Sequence, residues 1–387
     1  MSLPSDIVRI AGAGPSGLSA AITLARAGRV VEVHEKKDDV GKRFIGDLQI
    51  IENFSEREPV EVLLDRIGVE RNFYFRPVHR STFFDHKGRE FEVASSDPYG
   101  FFIRRGPFDG TLDRGLLAQA RNLGVDVRFE SRLDPAEAEI VATGPASPDG
   151  LAKEITFRAD GPEIIDVYFD HHLSPGGYSY LFILDGVATF GCAIVSDFKR
   201  IDTYFDHCLA RAMKLRQFDP TVDQRTGYSY MNFHLKQSAE ARSASWVGES
   251  AGFQDYLFGL GIRFALTSGH LAARAILENR SFDSLWKEAL GDKQKTSVAN
   301  RFLYEVAGNT GLGMFTRDAA RGDLREFLYG WHRRAWWKSG LSSIVQRFWR
   351  HDGRCHHKPG PHWCRSRDTE IRVPPLGPLP ANDPESA

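Results

Sequence analysis

A glycine-rich turn near the N-terminus constrains the fold more than any other feature of this chain. Residues 7–18 (IVRIAGAGPSGL) and 30–35 (VVEVHE) have the pattern of a strand, a tight turn, a helix and a second strand. Gly12, Gly14 and Gly17 have the G-x-G-x-x-G spacing. The first glycine permits the turn, the second lets backbone N–H groups approach a pyrophosphate, and the third lets the helix pack on the strand. The segment predicts a Rossmann-like dinucleotide-binding unit.

An acidic residue closes the second strand. Glu35 follows Gly17 at close to the spacing at which a carboxylate binds a ribose 2′-OH. An acid there favours FAD or NAD over NADP. The start of the helix places Pro15 and Ser16 beside the expected pyrophosphate, and Lys36 lies next to the acid. We predict that these residues bind the cofactor.

Composition limits the remaining possibilities. The chain has 387 residues, 42% of them hydrophobic, and a formal net charge of −1. This length suffices for two or more packed units. We expect neither a membrane-spanning helix nor a signal peptide, because long apolar runs are missing and the first strand begins almost at once. Four cysteines fit a reducing compartment, and the near-zero charge does not favour nucleic-acid binding. We expect a cytoplasmic protein.

A second glycine-rich segment lies at 246–265 (WVGESAGFQDYLFGLGIRFA). It resembles the second FAD fingerprint of flavoproteins similar to p-hydroxybenzoate hydroxylase and geranylgeranyl reductase. The resemblance implies that Gly248 and Glu249 bind ribitol and pyrophosphate, with a Glu where those proteins have Asp. Backbone N–H groups of the next turn would stabilise negative charge on reduced flavin. Three residues of that turn would line the O2 edge of the flavin ring: Gly259, Gly261 and Ile262.

Shorter matches to the same superfamily lie between the two motifs, in the expected order. The pair Arg104-Arg105 opens a segment that resembles an Arg-x-x-Phe-Asp-x-x-Leu segment whose Arg and Gln approach FAD. We assign Arg104 and Gln119 to these roles. Thr143 and Gly144 occupy the place where hydroxylases carry Asp-Gly, and Arg43 matches an arginine near the diphosphate. The resemblance implies FAD as the cofactor.

An aromatic segment bears on the reaction. Residues 174–182 (SPGGYSYLF) resemble the Pro-Gly-Gly-Tyr-x-Trp-x-Phe-Pro segment of geranylgeranyl reductases, with Tyr180 in place of Trp. In that family the strand borders the flavin and the isoprenoid cavity. Tyr178 or Tyr180 could donate the proton that such a reduction requires. The alternative is an ordinary sheet strand with aromatic residues on one face.

The resemblance implies an FAD-dependent oxidoreductase that reduces carbon-carbon double bonds of a small apolar, isoprenoid-like substrate by hydride transfer from flavin N5. NAD(P)H or a ferredoxin-like protein would be the electron donor. A flavin-dependent monooxygenase acting on an aromatic or apolar substrate is the enzymatic alternative. A flavin-binding partner without catalysis of its own is an alternative of another class.

The expected fold is α/β, with a Rossmann-like FAD-binding domain, an inserted β-rich substrate domain and a helical C-terminal region. Periodicity predicts strands at 164–169, 178–184 and 188–195 and a helix at 204–216. The expected boundaries are as follows: FAD-binding domain 1–78, 96–150 and 240–280; substrate domain 79–95 and 151–239; helical region 281–350; Pro-rich tail 351–387.

Tryptophan and basic residues are concentrated at 331–350, where no acidic residue occurs. Basic charge with aromatic side chains suits a helix that lies in a membrane surface, which predicts peripheral membrane contact. The alternative is a helix that covers the core or binds a partner protein.

The tail contains a cluster of possible metal ligands. Two thiolates and two imidazoles could bind zinc tetrahedrally. The alternative is that these residues occur together by chance. The candidate ligands are Cys355, His357, His362 and Cys364.

Overall fold

The computed structural model describes residues 7–145, 149–233, 237–241 and 244–348, in which three β-sheets are followed by C-terminal helices. The strands are β1 (Ile7–Ala11), β2 (Val30–His34), β3 (Leu48–Glu52), β4 (Arg76–Val78), β5 (Arg80–Phe84), β6 (Glu90–Ala94), β7 (Gly100–Arg104), β8 (Asp126–Arg128), β9 (Ile140–Val141), β10 (Gly150–Arg158), β11 (Ile164–Tyr168), β12 (Tyr178–Leu184), β13 (Val187–Ile194), β14 (Arg225–Met231), β15 (Glu240–Ala241) and β16 (Ala244–Trp246). The helices are α1 (Pro15–Arg26), α2 (Val60–Ile67), α3 (Leu112–Asn122), α4 (Ile201–Leu215), α5 (Ile262–Glu278), α6 (Phe282–Ala319), α7 (Leu324–His332) and α8 (Trp336–Phe348).

The first sheet is the Rossmann-like part of the molecule. Its strand order is β15-β16-β9-β1-β2-β8, and β1 pairs in parallel with both neighbours. Helices α1 and α5 pack against each other beside it, because glycine lets their backbones approach. A Cβ at Gly269 would lie 2.0 Å from the backbone oxygen of Ser16. This packing brings the N-termini of both helices to one end of the sheet.

The second sheet has seven strands in the order β14-β10-β13-β12-β11-β5-β6. Its pairs are antiparallel except β11 with β5. Helix α4 covers part of one face, and its buried residues join the core of β10, β12 and β13. The third sheet, β3-β7-β4, contributes to a core shared with the second sheet and with α6 and α7.

The C-terminal helices close the edge of the second sheet. Helix α6 breaks at Gly308, whose φ of 56° lies outside the helical region. Asp323 caps α7 by accepting a hydrogen bond from the backbone N–H of Glu326 at 3.1 Å. The same carboxylate accepts from the backbone N–H and the hydroxyl of Ser96, both at 2.8 Å, and a β-bridge joins Asp323 to Ala94 at the end of β6. Helix α7 is therefore held against an edge strand.

The expected fold class is confirmed. The strands predicted at 164–169, 178–184 and 188–195 correspond to β11, β12 and β13, and the helix predicted at 204–216 corresponds to α4, which begins three residues earlier. The β-rich insertion appears as the second sheet, although the domain boundaries themselves stay a prediction. Among the described residues, no helix has the length and apolar character needed to cross a bilayer.

Candidate functional site

A cleft of about 710 Å3 lies at the carboxyl ends of β1 and β2 and extends to the second sheet. The carboxyl edge is where ligands bind in open α/β sheets, and the volume is typical of cofactor and small-molecule sites. Most of the residues singled out from the sequence line this cleft together: Gly12, Gly14, Pro15, Ser16, Glu35, Lys36, Arg43, Thr143, Gly144, Tyr178, Tyr180, Glu249, Gly259, Gly261 and Ile262.

The first glycine turn has the geometry expected of an anion-binding loop. Gly12 has a φ of 106°, and a Cβ there would lie 2.4 Å from the backbone oxygen of Ala142. A Cβ at Gly17 would lie 2.0 Å from the backbone oxygen of Gly12, so this glycine packs behind the turn. At Gly14, in contrast, no heavy atom lies within 4 Å of the Cβ position. The backbone at Gly14 is therefore open to a ligand, and the start of α1 is directed to the same place.

Glu35 is held at the end of β2 by backbone donors. One carboxylate oxygen accepts a hydrogen bond from the N–H of Ala13 at 3.0 Å, and the other accepts from the N–H of Lys37 at 3.0 Å. Each oxygen keeps capacity for a further bond, because a carboxylate has about four acceptor positions. The side chain is thus oriented in the cleft and can accept a hydrogen bond from a hydroxyl group.

The second glycine motif forms the opposite side of the cleft. Glu249 lies in the short turn Gly248–Ala251, and its Oε2 accepts a charged hydrogen bond from Nη2 of Arg43 at 3.1 Å. Gly248 itself lies behind the surface, where a Cβ would be 2.7 Å from Oγ of Ser16. The motif therefore places one carboxylate in the cleft and uses its glycine for close packing.

Helix α5 begins at the cleft without a side-chain cap. Gly261 is its N-cap, and the described residues provide no capping side chain and no acid in its first turn. The preceding loop is fixed by Asp255, which accepts from the N–H of Phe258 at 3.0 Å and from the hydroxyl of Ser297 at 2.8 Å. Unpaired N–H groups at a rigid helix start attract negative charge.

The loop that contains Asp255 is also held by a buried ion pair with His332 of α7. His332 lies 3.3 Å from Asp255, and its Nδ1–H donates to the Leu328 backbone oxygen at 2.8 Å. Burial alone lowers the pKa of His332, but the nearby Asp255 carboxylate outweighs it, so the pKa lies above its ordinary value. The C-terminal helices thereby hold the turn at Phe258 in place.

Besides Gly17 and Gly248, which pack behind the cleft, two residues assigned by their side chains, Arg104 and Gln119, do not line it. Arg104 donates from Nε to the backbone oxygen of Gly46 at 3.4 Å, whereas its neighbour Arg105 lines the cleft. Arg105 forms a two-pronged ion pair with Asp113, at 2.9 and 3.0 Å, and its guanidinium stacks over Phe44 at 3.9 Å. Arg105, which unlike Arg104 has the Arg-x-x-Phe spacing to Phe108, is therefore the one that faces the cleft.

Gln119 has a structural environment. Its amide nitrogen donates to the backbone oxygen of Gly68 at 2.7 Å, and its amide oxygen accepts from the N–H of Glu70 at 3.1 Å. Both groups join α3 to the turn after α2. The side chain is buried and does not line the cleft.

The two tyrosines at the cleft have different partners. The Tyr178 hydroxyl donates to the backbone oxygen of Phe258 at 2.6 Å, so its proton is directed into the loop. The Tyr180 hydroxyl donates to a carboxylate oxygen of Glu154. Burial, followed by the negative charge of that carboxylate, raises the pKa of Tyr180 well above its ordinary value. Tyr180 is thus a protonated phenol at neutral pH.

Glu154 was not among the residues singled out from the sequence. It lies on β10, is 4% exposed and lines the cleft. Burial and the charge of the nearby Asp47 raise its pKa to about 7. The sequence signal for Glu154 was a single charged residue within a run that otherwise favours a strand. Its hydrogen-bond partners could not be predicted, because they depend on pairing between distant strands.

The candidate zinc ligands Cys355, His357, His362 and Cys364 lie outside the described residues. Within the described part of the chain, no group of three or more His, Cys, Asp and Glu side chains is arranged to hold a metal ion.

Comparison with protein families gives one match, to the NAD(P)-binding Rossmann-like domain, over residues 10–45. It covers the first glycine motif, the following helix and the second strand. A sequence comparison with curated proteins finds no match.

Solved structures share the architecture at low sequence identity. A geranylgeranyl bacteriochlorophyll reductase-like protein from Thermoplasma acidophilum is 17% identical, with a TM-score of 0.67 over 88% of this chain and 98% of that one. A flavin-dependent brominase is 15% identical, with a TM-score of 0.59 over 89% of this chain and 98% of that one. A 2-methyl-3-hydroxypyridine-5-carboxylic acid oxygenase is 19% identical, with a TM-score of 0.51 over 83% of this chain and 98% of that one. The likeness that the motifs imply is confirmed at the level of the fold.

Proposed function

We propose that this chain, which has the fold of the FAD-dependent flavoprotein superfamily, binds FAD in the cleft and acts as an oxidoreductase. The observation that carries the proposal is that the N-termini of α1 and α5 both line one cleft. Neither helix start has a side-chain cap among the described residues. One start suits a pyrophosphate and the other suits the electron-rich edge of a reduced flavin.

The remaining polar groups fit the same cofactor. Glu35 would accept a hydrogen bond from the adenosine ribose, and the Arg43–Glu249 pair would offer a donor to phosphate and an acceptor for ribitol hydroxyls. The open backbone at Gly14 gives the pyrophosphate its approach. The donor and acceptor types therefore match the polar parts of FAD.

The reaction that we propose is reduction of a carbon-carbon double bond in a small apolar, isoprenoid-like substrate. Bound reduced FAD would supply a hydride. Aromatic rings form the part of the cleft on the second sheet, where Tyr180 and Phe182 stack at 4.9 Å between centroids and Tyr178 lies 6.2 Å from Phe258. Such a wall binds apolar groups and excludes water. NAD(P)H or a ferredoxin-like protein would reduce the flavin.

The first experiment is an FAD titration of the purified chain followed by absorption spectroscopy. We expect a bound flavin spectrum, and Glu35→Ala should weaken FAD binding by about 10- to 100-fold, because a hydrogen bond to a charged group contributes about 1.5–3 kcal/mol. Glu92→Ala is the matched control, since this exposed glutamate lies on the edge strand β6. A chain that takes up no FAD would contradict the proposal.

The second experiment separates the reactions. The FAD-loaded chain is reduced anaerobically and mixed with a polyprenyl alcohol. Reoxidation that requires the alkene supports the reductase. Reoxidation that requires oxygen, with a hydroxylated product, would establish the monooxygenase alternative, and bound flavin that reacts with neither would establish a non-catalytic flavin-binding partner.

A further inference from the structure

A row of four residues crosses the second sheet in register. Tyr180 on β12 pairs with Gly191 on β13, which pairs with Glu154 on β10, which pairs with Gly227 on β14. A Cβ at residue 191 would lie 2.3 Å from Cζ of the tyrosine. The glycine therefore lets the phenol ring lie across β13 and reach the carboxyl group on the next strand but one.

Both oxygens of the Glu154 carboxyl group are engaged at the cleft. The Tyr180 hydroxyl donates to Oε1, and the Ser229 hydroxyl donates to Oε2 at 2.7 Å. All three residues line the cleft, and the tyrosine and serine are half-buried. The carboxyl group is thus connected to the cleft through a phenol and a hydroxyl.

The charges that face this group come from several elements. Asp47 precedes β3 and raises the pKa of Glu154, whereas Arg43 lowers it, and burial has a larger effect than either. Arg105 is near Asp47 but is paired with Asp113. The resulting pKa of about 7 gives Glu154 comparable protonated and ionised populations at neutral pH.

We propose that Tyr180 is the catalytic proton donor to the substrate carbon and that Glu154 is the positioning residue that resupplies its proton. This inference rests on the proposed reductase function. Bound reduced FAD would supply a hydride to one alkene carbon and would itself be oxidised. The other carbon takes the Tyr180 hydroxyl proton, so the π bond is lost as two C–H bonds form and the alkene is reduced. When Glu154 is protonated, its O–H donates to the Tyr180 oxygen and leaves the phenol proton free for the substrate. As that proton leaves, the Tyr180 oxygen takes the proton of Glu154, whose carboxylate is reprotonated from solvent.

The first test needs no turnover. Infrared titration of the purified full chain should detect a carboxyl group that ionises near pH 7. Burial raises the pKa of Asp149 to about 8, so the signal of that carboxyl group should remain in every variant. The signal near pH 7 should disappear in Glu154→Gln and persist in the exposed control Glu92→Gln. If Glu154→Gln does not fold, Tyr180→Phe serves as the second test. This substitution removes a hydrogen bond that lowers the pKa of the Glu154 carboxyl group, so the ionisation must move to higher pH. A chain without such a carboxyl group, or one whose signal survives Glu154→Gln, overturns the proposal.

The second test follows a single turnover of the anaerobically reduced, FAD-loaded chain with a polyprenyl alcohol. Tyr180→Phe should slow flavin reoxidation by about 10²- to 10⁴-fold, the usual contribution of a general acid. Glu154→Gln should abolish the dependence of the rate on pH near 7. FAD affinity should stay at the wild-type value in both variants. Unchanged rates and pH profile overturn the relay while leaving the proposed function intact. Failure of the wild-type chain to bind FAD or to react overturns both.

Discussion

Replacing Gly191 by alanine tests whether the Tyr180 ring lies across β13, and the test requires no cofactor. The new methyl group would lie 2.3 Å from Cζ and 2.5 Å from the hydroxyl oxygen of the ring, well inside van der Waals contact. The ring cannot yield freely, because it stacks on Phe182 and its hydroxyl is bound to buried Glu154. Overpacking costs about 1–3 kcal/mol, and loss of a hydrogen bond to a buried group costs about 1–3 kcal/mol. We therefore expect Gly191→Ala to lower the free energy of unfolding by about 2–6 kcal/mol.

A double-mutant cycle isolates the cause. In the Tyr180→Ala background the ring is gone, so the alanine methyl group at residue 191 should cost less than about 1 kcal/mol. The coupling energy should therefore be at least about 1 kcal/mol. Urea unfolding followed by tryptophan fluorescence measures all four proteins. Gly322→Ala, where a Cβ meets nothing within 4 Å, is the matched control and should change stability by less than about 0.5 kcal/mol. Additive effects of the two substitutions would mean that the new methyl group does not meet the Tyr180 ring.

Two further predictions concern the C-terminal helices. His332→Asn should destabilise the chain by about 3 kcal/mol at pH 6, because it leaves buried Asp255 without its cation. The pKa of His332 is raised in the folded chain, so the stabilisation that its charge provides is complete below the ordinary histidine pKa and is lost as pH rises. The difference in melting temperature between His332→Asn and wild type should therefore shrink toward pH 9. A difference that stays constant with pH would contradict this prediction. We also propose that α8 contacts anionic membranes through Trp336, which is 87% exposed and follows the exposed Arg333 and Arg334. Trp336→Ala should reduce co-sedimentation with phosphatidylserine vesicles about tenfold, and equal binding would favour a helix that covers the core or binds a partner protein.

The local parts of the site could be predicted from the sequence. A turn such as Gly12–Gly17 and a helix start such as Gly261 are determined by backbone geometry over a few residues, and that geometry restricts the residue type directly. Glu35 could be predicted for the same reason, since it lies at a set distance from the turn. Their placement on one cleft followed from the expected fold.

The parts that depend on pairing between distant segments could not be predicted. Glu154 meets Tyr180 because β10, β13 and β12 pair in one particular register, and a shift of one residue would turn either side chain to the other face. The assignment of Arg104 is a different case, because the sequence did contain a signal for its neighbour. The Arg-x-x-Phe spacing fits Arg105 and Phe108, and neighbouring residues at the end of a strand point in different directions, so Arg105 is the one at the cleft.

The contact between Asp323 and the end of β6 has a consequence for self-association. An edge strand offers unpaired backbone groups on which a second copy of a sheet can add. Here the bridge from Asp323 to Ala94 and the hydrogen bonds to Ser96 occupy that end of the edge. Farther along β6, the exposed Glu92 places a negative charge, and Glu90 is paired with Arg216. The C-terminal helices therefore also cover the end of the edge strand β6, which disfavours the addition of a strand from a second molecule.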